Sequence, residues 1–250
     1  MLVDILTLFP EMFTGPFNSS ILKRAQERSL LEINLVNIRD FSANKHHTVD
    51  DTPYGGGAGM VMSPEPVFRA VDSLTEQRKR KADRVVLLCP QGRLLTQQLA
   101  AELAQSGYLI LVCGHYEGVD ERVREHLSTD QVSIGDYVLT GGELPAMVLI
   151  DAVARLLPGV LGEAASAEED SFSDGLLEYP QYTKPREYLG NSVPEVLLSG
   201  HHEQIRLWRR RQSLLRTLAG RPEIMAQAKL NEEDKKIIKT IIEELNRLTF

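Results

Sequence analysis

Cysteine is scarce in this chain of 250 residues, which contains only Cys89 and Cys113. Each ends an apolar run, so both are expected to be reduced residues of the core, and a disulfide framework or a zinc site would need more partners. A hydrophobic run long enough to cross a bilayer is also lacking, because the longest, residues 144–157, is short and contains charged side chains. The first residues include Asp4 and no basic leader, unlike a signal peptide. We therefore expect a cytoplasmic protein with no membrane association.

Two glycine motifs that are common in nucleotide-binding proteins are missing. The run Tyr-Gly-Gly-Gly-Ala-Gly at residues 54–59 is not followed by Gly-Lys-Ser/Thr, which excludes a P-loop. No G-x-G-x-x-G sequence follows a predicted strand, which excludes the usual Rossmann fingerprint. The pairs His46-His47 and His201-His202 lack the partners and spacing of a metal site. Residues 54–59 form either a tight flexible turn or a point of close approach to a substrate backbone.

Positive charge is concentrated in a few segments of a chain whose formal net charge is −7. Residues 203–222 contain six arginines and one glutamate, a local net charge of +5, and Arg78-Lys79-Arg80-Lys81 is a shorter cluster. The negative total argues against a protein that is coated with phosphate contacts. Each cluster is either an ordinary solvated surface or a local contact for an acidic partner.

The first 160 residues alternate short apolar runs with helical patterns. Runs rich in β-branched residues predict strands at residues 2–9, 31–38, 84–89 and 108–113. Amphipathic segments predict helices at residues 18–29, 63–81 and 96–107. Nearly continuous apolar strands are typical of a parallel sheet that is covered on both faces. The sequence therefore predicts an α/β domain over residues 1–160.

A further helix is predicted at the end of this domain. Thr140 and Glu143 have the spacing of a capping box, in which the two side chains satisfy backbone N–H groups at a helix start. The helix is expected to run to about Leu157, where Pro158 and Gly159 stop it.

The rest of the chain has a different pattern. Residues 161–185 are acidic, contain glycine and serine, and lack periodicity, which predicts an interdomain loop. Residues 186–250 include helical patterns at 203–219 and 231–248. We interpret this last segment as a small all-helical domain with one basic face.

Three glycine turns follow one another in the second half of the α/β region, at residues 114–118, 134–137 and 139–142. Ligands of open α/β sheets bind beyond the carboxyl ends of the strands. Glycines there allow the backbone to approach a ligand, and an apolar neighbour such as Leu139 is suited to an adenine ring. The three turns together predict a cofactor crevice, whose ligand the pattern does not identify.

Arg155 and Asp170 are candidate catalytic residues that also have ordinary structural explanations. Asp151 precedes Arg155 by four residues, a helical ion pair worth about 0.2–0.5 kcal/mol. Asp170 is one of several acids in the predicted loop. Cys113 and His115 are close in the chain, but sequence neighbours seldom present both groups to one substrate. On residue chemistry alone, the structural explanations are favoured.

Long stretches of the chain resemble the bacterial tRNA (guanine-N1)-methyltransferases of the knotted SPOUT class, over nearly the whole length. The matching stretches are DILTLFPEMF (4–13), VDDTPYGGGAGMVM (49–62), ILVCGHYEGVDERV (110–123), SIGDYVLTGGELPAMVLIDAVARLLPGVLG (133–162), EDSFSDGLLEYPQYTKP (169–185) and PEVLLSGHHEQIRLWRRRQSL (194–214). Two positions depart from the family pattern. Lys184 stands where arginine is usual, and His201 stands where Asn or Asp usually precedes the histidine. Lysine lacks the bidentate fork of arginine, so these departures concern RNA contacts.

The resemblance implies a fold and a cofactor. The parallel α/β sheet should contain a deep trefoil knot, against the general rule that knots are essentially absent. S-adenosylmethionine should bind bent in this knot. The residues that the resemblance assigns to its binding are Leu88, Pro90, Gly114, Tyr116, Glu117, Ile134, Gly135, Asp136, Tyr137, Val138, Leu139, Gly141, Gly142 and Pro145.

The resemblance also implies a substrate and a mechanism. The methyl acceptor should be N1 of the guanine at position 37 of tRNA, 3′ of the anticodon, when position 36 is also guanine. Asp170 is expected to be the general base for the N1 proton, and Arg155 to stabilise the charge that develops at O6. The family is expected to act as a homodimer and to depend on Mg²⁺. The basic helix at 203–222 would bind phosphates without reading sequence.

Two alternatives of function stay open on the sequence. A non-catalytic RNA-binding adaptor would use the same basic helix but leaves the glycine turns unexplained. A SPOUT ribose 2′-O-methyltransferase would use the same cofactor and methylate a hydroxyl group instead of a base.

Overall fold

The computed structural model of this protein describes residues 1–161, 170–226 and 228–248. The chain divides into two compact units, Met1–Ala164 and Ala165–Phe250. The part of the predicted 161–185 loop that spans residues 162–169 lies outside the described residues.

A five-stranded parallel sheet forms the centre of the first unit. The strands of this unit are β1 (Leu2–Thr7), β2 (Glu32–Asn37), β3 (Asp50–Asp51), β4 (Val61–Met62), β5 (Arg84–Leu94), β6 (Tyr108–Cys113) and β7 (Asp130–Ser133). The sheet has the order β2-β1-β6-β5-β7, and every neighbouring pair in it is parallel. The strands β3 and β4 form a separate antiparallel pair. The prediction of an α/β fold with a parallel central sheet is confirmed.

Helices cover both faces of this sheet. They are α1 (Ser20–Glu27), α2 (Pro64–Arg78), α3 (Gln97–Ala104), α4 (Glu121–His126) and α5 (Glu143–Ala154), with 3₁₀ turns at Pro10–Phe13, Pro16–Asn18 and Ile38–Phe41. Alternate residues of β6 enter two cores. Leu109, Leu111 and Cys113 pack with α1, α3 and α5. Tyr108, Ile110 and Val112 pack with α2 and α4. Because β6 is buried on both faces, its sequence is apolar at every position.

Two details of the first unit differ from the prediction. Strand β7 was not predicted, because Asp130 and Gln131 interrupt the apolar pattern that identifies a buried strand. The capping-box prediction was wrong: α5 begins at Glu143, Gly142 is its N-cap, and the helix ends at Ala154. Glu143 does not cap the helix, because its carboxylate accepts a hydrogen bond from Thr7 Oγ1 at 2.7 Å in the interior.

The second unit is built mainly of helices. Its elements are β8 (Glu187–Tyr188), β9 (Asn191–Ser192), α6 (Glu195–Leu198), α7 (His202–Gly220), α8 (Pro222–Met225) and α9 (Glu232–Leu248). A small core contains Leu176, Leu214 and Ile241. The backbone N–H of Leu177 also donates to Thr217 Oγ1 at 2.9 Å. Residues around Leu176, which the sequence assigned to a loop, therefore pack against the long helices.

Candidate functional site

A cavity of about 520 Å³ lies in the first unit at the carboxyl ends of β5, β6 and β7. All but Asp136 of the residues that the resemblance assigned to the cofactor line it. They are Leu88, Pro90, Gly114, Tyr116, Glu117, Ile134, Gly135, Tyr137, Val138, Leu139, Gly141, Gly142 and Pro145. This is the position at which ligands of parallel α/β sheets bind.

Hydrogen bonds hold two of the cavity loops together. The N–H of Gly142 donates to the carbonyl of Gly114 at 2.8 Å, and His115 forms an isolated bridge with Gly141. A Cβ on Gly142 would lie 2.6 Å from the Cα of Cys113, a contact that only glycine avoids. The 114–118 and 139–142 loops are therefore in direct backbone contact, because position 142 has no side chain.

The third loop, residues 134–137, is held by hydrogen bonds at the end of β7. Ser133 Oγ donates to the carbonyl of Gly135 at 3.0 Å, and the N–H of Tyr137 donates to the same carbonyl at 2.9 Å. The side chains of Tyr137, Val138 and Leu139 are exposed at the cavity. They provide an apolar surface for a flat ring.

The glycine run at 54–59 ends at the same cavity. The N–H of Glu117 donates to the carbonyl of Met60 at 3.0 Å. A Cβ on Gly59 would overlap the Glu117 carboxylate. Of the two interpretations left open for this run, the structure shows a close approach for its last glycine, to Glu117 of the protein itself.

Several cavity residues were not predicted from the sequence. Arg124 donates to the side-chain oxygens of Gln91 at 2.6 Å and Gln131 at 2.8 Å. His115 also lines the cavity, with Nε2 at 3.3 Å from Oε2 of the buried Glu143. His115 lies within the predicted 114–118 turn, whereas Gln91 and Arg124 lie outside the three glycine turns, so no local motif predicts them.

Cys113 does not act as a nucleophile in this site. Its side chain is fully buried. Burial and the nearby Glu143 carboxylate raise the pKa of the thiol well above its ordinary value, which disfavours the reactive thiolate. The alternative of thiol chemistry by Cys113 and His115 is thereby set aside.

The two predicted catalytic residues lie outside the cavity lining. Arg155 is the C-cap residue of α5, and its backbone N–H donates to the carbonyl of Asp151 at 3.3 Å. Asp170 belongs to the second unit and accepts a backbone hydrogen bond from Ser173 at 3.2 Å. Their catalytic roles stay predictions.

Most arginines of the basic helix α7 are engaged within the second unit. Arg206 pairs with Glu203 and Glu233, both at 2.8 Å. The remaining ion pairs are Arg210 with Asp174 and Asp234, Arg211 with Glu244, and Arg221 with Glu223. Arg209 lies over the ring of Tyr179, 4.7 Å from its centroid. Arg216 is exposed, and no ion pair joins it to the described residues. The basic surface available to a partner is therefore smaller than the charge count suggests.

Two further observations concern the described residues. Among the described residues, no helix is both long and apolar enough to cross a membrane. Residues 1–161, 170–226 and 228–248 contain no cluster of three or more His, Cys, Asp or Glu side chains suited to a metal ion.

The fold and cavity together define an α/β protein with a parallel sheet, a cavity at its strand ends and a second unit built mainly of helices. The sequence model of the family described as tRNA (Guanine-1)-methyltransferase TrmD matches residues 1–227. The chain therefore belongs to this family, and the resemblance inferred from its motifs is confirmed.

Individual relatives agree with this assignment. The chain is 69% identical over 248 residues to a protein of Pelotomaculum thermopropionicum, covering 99% of each chain. It is 58% identical to a protein of Bacillus cereus, covering 97% of this chain and 99% of the relative. It is 56% identical to a protein of Staphylococcus epidermidis, covering 98% and 99%. Each of these relatives is named tRNA (guanine-N(1)-)-methyltransferase.

Proposed function

We propose that this protein transfers the methyl group of S-adenosylmethionine to N1 of the guanine at position 37 of tRNA. The observation that carries the proposal is the cavity at the carboxyl ends of β5, β6 and β7, in a chain of this family. Its lining combines the three glycine turns with apolar side chains.

The residues present fit S-adenosylmethionine. The cavity volume of about 520 Å³ lies in the range of small-molecule sites, roughly 300–1,000 Å³. The buried Leu88 and the exposed Leu139 offer apolar surface to an adenine ring, and the Glu117 carboxylate offers a counter-charge to a cationic ligand. The cofactor would supply a methyl group that its positive sulfur activates toward nucleophiles.

The chemistry at the guanine requires removal of the N1 proton. We assign this to Asp170 as general base, since an ionised carboxylate can take up the proton. A free aspartate is a weak base for this proton. Arg155 would assist by stabilising the negative charge that develops at O6 as the proton leaves, in the manner of an oxyanion hole.

The remaining parts of the proposal follow from the family. We propose that the first unit contains the trefoil knot, that residues 186–250 act as a tRNA-binding domain, and that the enzyme works as a cytoplasmic homodimer. The expectation that this domain is all-helical was wrong, because β8 and β9 form a short antiparallel pair within it. We also propose that it requires Mg²⁺ and prefers tRNAs with guanine at positions 36 and 37. The exposed Arg216 supports a phosphate contact by the second unit.

The test is incubation of the purified protein with methyl-labelled S-adenosylmethionine and tRNA, followed by nuclease digestion and nucleoside analysis. We expect label in 1-methylguanosine and none when position 37 is changed to adenine. Label in a 2′-O-methylated nucleoside would favour the ribose methyltransferase. Binding of tRNA by a protein that does not bind the cofactor in a calorimetric titration would favour the adaptor.

A further inference from the structure

A buried carboxylate stands behind the cofactor cavity. Glu143, the first residue of α5, is 1% exposed. Its Oε1 accepts from Thr7 Oγ1 at 2.7 Å, and the same hydroxyl accepts from the N–H of Phe9 at 3.0 Å. The carboxylate is thus tied to the carboxyl end of β1.

The second oxygen of Glu143 faces His115. The distance from His115 Nε2 to Glu143 Oε2 is 3.3 Å, within ion-pair range. The alignment does not make a hydrogen bond, and Oε2 has no other hydrogen-bond partner among the described residues. A buried carboxylate is costly unless it is paired, and the His115 ring is the group that lies next to this oxygen of Glu143.

His115 is itself held in place from several sides. Its ring lies 4.8 Å from that of Phe9, and its backbone N–H contacts Met62 Sδ at 3.1 Å. A Cβ on Gly141 would overlap both His115 Nε2 and Glu143 Oε2. The two side chains therefore occupy the space next to Gly141. His115 belongs to the 114–118 loop, and together with Glu143 it contacts the 139–142 loop at this glycine.

We propose that His115 and Glu143 act as one positioning unit that holds these two loops in the arrangement that binds S-adenosylmethionine. Neither residue is assigned a part in the chemical step. The inference rests on the proposed function, because it takes S-adenosylmethionine as the ligand of the cavity.

A double-mutant cycle on the full-length protein tests this unit. The variants are His115→Ala, Glu143→Gln and the double variant, each measured for S-adenosylmethionine affinity by calorimetry and for tRNA affinity by filter binding. We expect each single change to raise the Kd for S-adenosylmethionine about tenfold and to leave tRNA affinity within about twofold. The double variant should also lose about tenfold in affinity for S-adenosylmethionine. Two independent residues would instead give a loss of roughly a hundredfold.

Asp4→Asn is the matched control. Asp4 is also a fully buried carboxylate of the first unit, and it accepts from Tyr108 and Arg78 away from the cavity, each at 2.7 Å. The amide change should lower the melting temperature as Glu143→Gln does, yet leave the Kd for S-adenosylmethionine unchanged. A His115→Arg variant, which places a permanent cation beside Glu143, should recover affinity to within about threefold of the wild type.

The outcomes separate this inference from the proposed function. If the wild-type protein does not bind S-adenosylmethionine, the proposed function fails. If the wild type binds it and the variants bind equally well, or if their losses multiply, the positioning unit is refuted. An equal loss of affinity in Asp4→Asn would reduce the effect to general destabilisation and would overturn the inference as well.

Discussion

At the scale of single residues, the proposed chemistry assigns the base to Asp170 and the cation to Arg155. Asp170→Asn preserves the size of the side chain but cannot accept the N1 proton. We expect it to bind S-adenosylmethionine as the wild type does and to lose at least about 100-fold in single-turnover rate. Near-wild-type turnover in rapid-quench measurements would remove Asp170 from the role of general base.

Arg155 is tested by a pair of substitutions. Arg155→Ala should lower the single-turnover rate by about 100-fold, because the charge at O6 is no longer stabilised. Arg155→Lys keeps the charge without the planar fork, so its single-turnover rate should lie between those of the wild type and Arg155→Ala. Cofactor affinity, measured in the same preparations, should stay constant across the series. A change confined to that affinity would place Arg155 in binding and not in the reaction.

Gly142 is a residue of the cavity at which the neighbouring backbone leaves no room for a side chain. A methyl group there would lie 2.6 Å from the Cα of Cys113, in a buried region where neither backbone can move freely. We expect Gly142→Ala to weaken S-adenosylmethionine binding at least about tenfold and to destabilise the fold by about 1–3 kcal/mol. Gly15→Ala is a suitable control, since nothing lies within 4 Å of its added carbon and its φ of −76° suits any residue. Calorimetry and chemical denaturation give the two quantities.

At the scale of elements, several arginines of helix α7 form ion pairs within the second unit. Arg210 Nε donates to Asp234 Oδ1 at 2.6 Å, and Asp234 is fully buried at the start of α9. Its hydrogen bonds from Arg210 hold the pKa of Asp234 below its ordinary value. This contribution to stability is present above the ordinary aspartate pKa, about 3.9, and is lost as the pH falls through the lower pKa of the folded state.

Arg210 and Arg216 should therefore behave differently when changed. Arg210→Ala leaves a buried carboxylate without its cation and should destabilise the protein by about 3 kcal/mol. Arg216→Ala should leave stability unchanged, weaken binding to different tRNAs about equally, and reduce the salt slope of binding by about one. Urea unfolding and filter binding at several salt concentrations distinguish these effects. If Arg216→Ala changed which tRNAs are modified, the helix would be reading bases.

At the scale of the whole molecule, the family resemblance favours an active site shared between the subunits of the proposed dimer, in which Asp170 of one subunit serves the cofactor cavity of the other. Asp170→Ala removes the base, and Gly135→Trp blocks the cofactor cavity, so each variant alone should be inactive. Refolded together, half of the dimers should be mixed, and each mixed dimer should contain one site with neither defect. Activity should then return to about a quarter of the wild type. Mixed dimers that are confirmed by mass yet inactive would place each site within one chain.

Much of the first unit was predictable because its signals are local. Tyr108 to Cys113 is apolar at every position, and a strand with that pattern has to be covered on both sides, as β6 is. The 114–118 turn follows β6, and the 139–142 turn precedes α5. Their meeting at one edge of the sheet follows from the parallel topology. The family assignment rests on long motifs in one order, which the comparisons confirm.

The sequence by itself determined the α/β class, the positions of the long helices, the glycine turns and the family. Only the tertiary structure decided what certain charged side chains do. Glu143 has the spacing of a helix cap but is bound to Thr7, 136 positions away in the chain. Arg210 belongs to an arginine-rich segment that suggests phosphate binding, but its guanidinium pairs with the buried Asp234. The reason is physical: helix and strand propensities act over a few residues, whereas the partner of a buried charge is set by whichever distant segment the fold brings within about 3 Å.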